Sequence, residues 1–231
     1  MSQLLAPDDY AALRLPEQWI EEIMQETECK WLVEQTKDCR SILDLGFGNG
    51  ITCRAFAEAG RQVTMVDGSV EFCAEASMIP GVQAVHSMFE DYTPVGRFDC
   101  VIASFVLEHI PEPRKLLARA RKWSNRLIVV VGNANSYHRQ LAVKMGLQQR
   151  LDSLSQRDIA VGHYFVYSRQ GIYNDLLATG WIPHSERGIM LKPLPNSILQ
   201  TLDPRVIRAM CELDVPPDVA ANVGIVCRSE S

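Results

Sequence analysis

The chain has no C-x-x-C pair, although it holds seven cysteines, at positions 29, 39, 53, 73, 100, 211 and 227. An odd number without paired spacing argues against a zinc finger and against a disulfide framework. Cys53, Cys100 and Cys227 stand in apolar segments, where a thiol packs as a small core group. No metal is expected, because no compact set of His and acid ligands is visible. Basic residues are not in excess: 23 Lys and Arg against 28 Asp and Glu leave a net charge of −5. That excludes the basic footprint of a general nucleic-acid binder, though not a local basic patch. No apolar run approaches the ~20 residues of a membrane span. The stretch Met1 to Asp9 lacks the basic and apolar regions of a secretion signal. The expectation is a reduced, cytoplasmic protein that engages neither membrane nor nucleic acid.

What is present suits a folded α/β domain. The 231 residues are 47% apolar, enough for one domain over 1–231. Residues 16–36 have helical spacing, with Pro16 in a first turn and Trp19, Ile20, Ile23, Met24, Trp31 and Leu32 on one side. They make 1–38 an N-terminal helical segment. Core packing is the first role of Tyr10 and Trp19, and closing a ligand pocket is the alternative. Strands are expected at 41–45, 62–67, 82–86, 98–104 and 126–131, with helices at 70–77 and 113–123 between them. Continuous apolar strands that alternate with helices imply a parallel sheet covered on both faces. The strand C-terminal ends then share one edge, where ligands bind. A helix at 168–179, strands at 181–191 and 221–228, and a helix at 196–213 complete the chain.

At that edge the sequence reads Ile42-Leu43-Asp44-Leu45-Gly46-Phe47-Gly48-Asn49-Gly50. The glycines let the backbone turn tightly and approach a ligand without a Cβ in the way. Asp44 suits a cationic group near the turn. Asp67, at the end of the second strand, can accept hydrogen bonds from both ribose hydroxyls of a nucleoside. The pattern Asp44-x-Gly46-x-Gly48-x-Gly50, with Asp67 seventeen residues beyond, resembles the class I S-adenosylmethionine-dependent methyltransferases. The resemblance implies a Rossmann-like, seven-stranded, mostly parallel sheet with helices on both faces. It implies S-adenosyl-L-methionine as cofactor and S-adenosyl-L-homocysteine as product. The loop Gly46, Phe47, Gly48 and Gly50 then passes under the cofactor's amino-acid part, and Asp67 with Gly68 holds the ribose. Met88, Phe89 and Glu90 border the adenine, with Met88 standing where the family usually has an acid. Ser104, Phe105 and His109, in a segment similar to the family's Leu-Glu-His element, lie against the cofactor.

After the fifth strand the chain departs from the plainest members. Residues 132–167 read as a helical cap over the substrate, with a helix near 136–147 and Ser155 as a helix N-cap. The run Asn133 to Ala142, then Leu154-Ser155, Asp158, Gly162-His163 and Tyr167, resembles a bacterial subgroup linked to saccharide or specialised small-molecule pathways. Gly132 replaces that subgroup's proline, and Tyr164-Phe165 replaces a more basic stretch. His163, His109 and His138 are the catalytic candidates. Arg139, His138, Tyr164 and Tyr167 are the substrate candidates, with Arg139 able to pair with a carboxylate or phosphate. The connection 192–218 is a second candidate for substrate contact or for a homodimer face. The implied reaction is methyl transfer to an oxygen or nitrogen of a small, polar metabolite, with an anionic one among the candidates. The alternatives are a non-catalytic cofactor-binding scaffold and a protein or RNA methyltransferase.

Overall fold

A computed structural model describes residues 6–13 and 18–229. The helix start expected at Pro16 and Glu17 lies outside the described residues. Helices α1 (Pro7–Ala11) and α2 (Gln18–Gln35) come first. Strand β1 (Ser41–Leu45) leads into α3 (Ile51–Glu58), and β2 (Gln62–Asp67) leads into α4 (Val70–Ser77). Strand β3 (Val82–His86), β4 (Cys100–Ser104), a 3-10 turn (Leu107–His109), α5 (Pro113–Trp123) and β5 (Arg126–Gly132) follow. Helices α6 (Tyr137–Lys144) and α7 (Gln156–Ala160) fill the segment after β5. Then come α8 (Arg169–Ala178), β6 (Trp181–Ile189), α9 (Asn196–Leu199), α10 (Pro204–Glu212) and β7 (Asn222–Ser229).

The seven strands form one sheet in the order β3-β2-β1-β4-β5-β7-β6. The first five are parallel, and β7 runs antiparallel to both β5 and β6. The chain winds outward from β1 through β2 to β3, then returns to β4. The order therefore reverses between β1 and β4, which is where such sheets open a crevice. Side chains alternate along each strand, so the sheet feeds two cores. Ile42, Met65, Ile102, Ile128 and Val130 face α2 and α3. Leu43, Leu45, Val101, Leu127 and Val129 face α5 and α8.

Three expected elements differ for local reasons. Strand β4 begins at Cys100 and not at Phe98, because Asp99 Oδ2 accepts from the Arg40 and Ser41 amides at 2.7 and 2.9 Å. The helix expected over 196–213 is two helices. Pro204 lacks an N–H to continue the first, and Asp203 caps the second by accepting from Arg205 N at 2.8 Å. Strand β6 stops at Ile189, where Met190 takes a left-handed φ of 63°.

Trp31 of α2 packs against β7 at Gly224, where an added Cβ would sit 2.5 Å from the ring. Gly224→Ala is therefore expected to destabilise the fold by about 1–3 kcal/mol through overpacking. The loss should appear as a lower urea midpoint at unchanged slope. In a Trp31→Leu background the same change should cost less, because the smaller side chain leaves the methyl room.

Candidate active site

The site grows from the end of β1. Gly50 caps α3 with a φ of 74°, and a Cβ there would stand 2.5 Å from the Phe47 ring. Only glycine satisfies both conditions. Phe47 turns inward, buried against Phe72 at 5.5 Å between ring centroids. Its amide donates to Asp67 Oδ2 at 2.9 Å, and Ser69 N donates to Asp67 Oδ1 at 2.8 Å. Asp67 thus ties the glycine loop to the start of α4. Burial raises the Asp67 pKa, while the amides of Phe47, Ser69 and Gly68 oppose that rise.

Helix α1 covers this corner. Asp8 Oδ1 accepts from the Ser69 hydroxyl at 2.8 Å and from Val70 N at 3.1 Å, docking α1 on the N-terminus of α4. Tyr10 then packs edge-on against Phe72 and His109, at 6.3 and 5.3 Å. Trp19, by contrast, packs against the core and is absent from the pocket wall.

A cavity of about 340 Å³ opens over the ends of β1, β2 and β4. That is inside the range of small-molecule pockets, about 300–1,000 Å³. Its wall brings together Asp44, Gly46, Phe47, Gly48, Asp67, Gly68, Met88, Phe89, Glu90, Ser104, Phe105 and His109 from four loops. Phe105 holds a left-handed φ of 53° at the end of β4, a strained conformation for a residue with a Cβ. Asp44 is buried, accepts from the Cys53 thiol at 3.1 Å, and is raised by desolvation to about 7.

The same wall carries Ile110, Pro111, Val161, Gly162 and Tyr164 beside His109. His109 is pushed down to about 4, chiefly by burial and then by His163, with the Val161 backbone opposing. It is therefore a neutral imidazole at pH 7. His163 is not on the wall. Its ring sits against His109 at 4.6 Å, and its Nδ1 lies 3.3 Å from Asp158 Oδ1. Glu108 is buried behind them, with Oε1 accepting from Gly132 N at 2.8 Å. The Tyr164 hydroxyl is buried without a hydrogen-bond partner among the described residues.

Three expected substrate residues do not reach the cavity. Arg139 Nη2 donates to Asp158 Oδ2 at 2.5 Å, and Nη1 donates to the Leu151 and Ser153 carbonyls at 3.3 and 2.9 Å. Its fork closes the loop between α6 and α7. Tyr167 is buried and donates to Asp175 Oδ2 at 2.9 Å. His138 is pushed down to about 3 by burial, then by Lys192 and Arg139, and is absent from the wall. Sequence reasoning missed Gln25 and Thr52, which line the cavity, and Glu28, which is buried beside it. Their signal was present: Glu28 stands between Met24 and Leu32 at helical spacing, inside the apolar stripe of α2.

These residues fit a nucleoside that carries a cation. Asp67 keeps free lone pairs for hydroxyls, Met88 and Phe89 offer apolar faces, and buried Asp44 has no basic partner among the described residues. A parallel sheet with its switch point under such a pocket defines a nucleoside-binding α/β protein. Residues 3–186 match a family described as a methyltransferase domain, and the chain belongs to it. The cofactor of this family is S-adenosylmethionine. The chain is similar to the ubiquinone biosynthesis O-methyltransferase of Rhodopseudomonas palustris, with 31% identity over 39% of this chain and 44% of that protein. The match thus spans under half the length of that relative. It is also similar to the mitochondrial ubiquinone biosynthesis O-methyltransferase of Schizosaccharomyces pombe, with 28% identity over 74% of this chain and 68% of that protein. The fold matches the 1,6-didemethyltoxoflavin-N1-methyltransferase of Burkholderia thailandensis, crystallised with S-adenosylhomocysteine. That likeness has a TM-score of 0.61 at 18% identity and covers 100% of this chain and 93% of that one.

Proposed function

We propose that the protein transfers a methyl group to an oxygen or nitrogen of a small polar acceptor, with oxygen the favoured atom. The carrying observation is one cavity whose wall holds Asp67, Asp44, Ser104, His109 and Tyr164 together. In this reading Asp67 accepts from the ribose hydroxyls, and Met88 and Phe89 flank the adenine with Glu90 at its rim. The loop Gly46 to Gly50 carries the amino-acid end, and Ser104 and Phe105 close its side. Bound there, the cofactor supplies a methyl group on positive sulfur, already activated for displacement. The chain's own contribution is mostly positioning.

His109 is neutral, so one ring nitrogen accepts a hydrogen bond from the acceptor's O–H or N–H. At a pKa of about 4 it is a weak base, better matched to holding that proton in line than to removing it early. His163 and Asp158 fix the His109 ring from behind. Residues 132–167 act as a cap through Val161, Gly162 and Tyr164. No Lys or Arg of the described residues lines the cavity, which moves the reading away from an anionic acceptor. Ile110, Pro111 and Val161 favour a hydroxyl or amine on an apolar body. The oxygen preference follows the two ubiquinone-biosynthesis relatives.

The test is calorimetric titration with S-adenosylhomocysteine, then methyl transfer from labelled S-adenosylmethionine to panels of phenols, amines and carboxylates. Saturable binding with labelled phenol or amine is the expected result. Absence of binding, or label confined to the carboxylates, sinks the reading.

A further inference from the structure

Helix α2 places one carboxylate, Glu28, inside the protein at 2% exposure, where the Ser104 hydroxyl donates to its Oε1. Ser104 ends β4 and lines the cavity, as does Asp44 on the neighbouring strand β1. Among the described residues neither acid has a basic partner. The titratable groups facing Glu28 are Asp44 from β1, Glu108 from the turn after β4, and its neighbour Cys29 on α2. None of them is a cation. Burial raises Glu28 to about 8 and Asp44 to about 7, so the pair retains protons near neutral pH. A buried carboxylate without a counter-charge is costly to ionise. A bound cation would reverse that cost.

We propose that Glu28 is a positioning residue for the ammonium of the cofactor's amino-acid end, acting through Ser104 beside Asp44, and that seating this cation expels protons from the two acids. A hydroxyl has one donor and two lone pairs. Once Ser104 donates to ionised Glu28, it offers only lone pairs to a ligand. An ammonium has only donors, so the oriented hydroxyl and the Asp44 carboxylate form a matched receptor. The inference rests on the cofactor reading above. The sign follows from linkage. Both acids bind protons more tightly in the free protein, so ligand affinity rises as pH climbs through about 7 and 8. It levels off once both are ionised, and the slope reaches about tenfold per pH unit for each proton released.

Calorimetry with S-adenosylhomocysteine at about pH 6.5, in buffers of different ionisation enthalpy, reads the proton count. The control is 5′-methylthioadenosine, which keeps the nucleoside and lacks the amino acid. Wild type is expected to release about one proton or more with S-adenosylhomocysteine and none with the control. Glu28→Gln should release fewer. Near about pH 8.5 it should bind S-adenosylhomocysteine about tenfold more weakly, with the control unchanged. Ser104→Ala should show the same selective loss. Equal proton release in wild type and Glu28→Gln, equal weakening of both ligands, or full affinity in Ser104→Ala overturns the proposal. Absence of S-adenosylhomocysteine binding to wild type overturns instead the cofactor reading on which it rests.

Discussion

Asp67→Ala is expected to weaken S-adenosylhomocysteine binding by about a hundredfold or more, the largest loss of affinity that any one side chain of this site should give. Hydrogen bonds to a charged group contribute about 1.5–3 kcal/mol each. Two ribose hydroxyls on one carboxylate therefore come to about 3 kcal/mol or more, and each 1.4 kcal/mol is about tenfold in affinity. The carboxylate has a second duty, because it also accepts from Phe47 N and Ser69 N. Alanine removes those acceptors too, so the glycine loop loosens and the free site is less ordered. Asp67→Asn separates the two effects. Its amide keeps one acceptor oxygen and sets an NH2 group against either Phe47 N–H or Ser69 N–H. It should fall between wild type and alanine. Loss of the nucleoside contact predicts equal weakening of S-adenosylhomocysteine and 5′-methylthioadenosine. That is the opposite of the selective loss expected from Glu28→Gln, so the two ends of the cavity are read by different ligands. An Asp67→Ala protein that melts like wild type and binds within threefold of it would falsify the ribose assignment.

The parts legible in the sequence are those set by contacts between near neighbours in the chain. The apolar runs of β1, β2 and β5 and the glycines at 46, 48 and 50 state their own conformations. The turn residues fix where α3 and α4 begin, and Ser155 with Asp158 closes a capping box at α7. Helix 196–213 was overextended because helical spacing continues through Asp203-Pro204, whose capping chemistry breaks it. The cofactor side of the site was legible for the same reason. Each residue named for it lies at the C-terminal end of a strand or in the loop that follows, and a parallel sheet gathers strand ends at one edge. Arg139 and Tyr167 were misplaced because a polar residue in a cap has two outlets that sequence cannot separate. It can face the ligand, or it can close a loop on a partner such as Asp158 or Asp175. Glu28 was missed for the reverse reason. Its partner Ser104 is 76 positions away, and only folding shows that an acid in an apolar stripe meets a hydroxyl at a strand end.

The Arg139 finding gives the largest stability effect. Arg139→Ala is expected to destabilise the segment between α6 and α7 by about 3–5 kcal/mol, the cost of leaving one member of a buried ion pair uncompensated. Both side chains of the pair are close to fully covered, at 9% and 12% exposure. Alanine removes the cation paired with Asp158 Oδ2, which keeps the Ser155 amide and hydroxyl, and leaves the Leu151 and Ser153 carbonyls to Gln148 Nε2. Arg139→Lys should recover only part, because one ammonium cannot reproduce a planar fork reaching three acceptors. The pair also sets a pH response. Burial alone would raise Asp158, but the nearby His163 ring, then Arg139 and the Ser155 groups hold its pKa well below the usual carboxylate range. A depressed folded-state pKa contributes stability that is present above the unfolded value near about 4 and lost as pH falls below it. Wild-type protection should therefore decline in acid, and Arg139→Ala should show a smaller decline because part of the depression is already gone. Amide exchange and limited proteolysis over 145–160 read local opening of the segment directly. Ligand specificity follows from the same geometry. The loop closed by Arg139 carries α7 and then Val161, Gly162 and Tyr164, the part of the wall proposed above for the acceptor. Arg139→Ala should expose 145–160 to protease while S-adenosylhomocysteine still binds at near wild-type affinity. Equal protection of that loop in wild type and variant would show that Arg139 is not what closes it, and would return its guanidinium to the list of groups available to an acceptor.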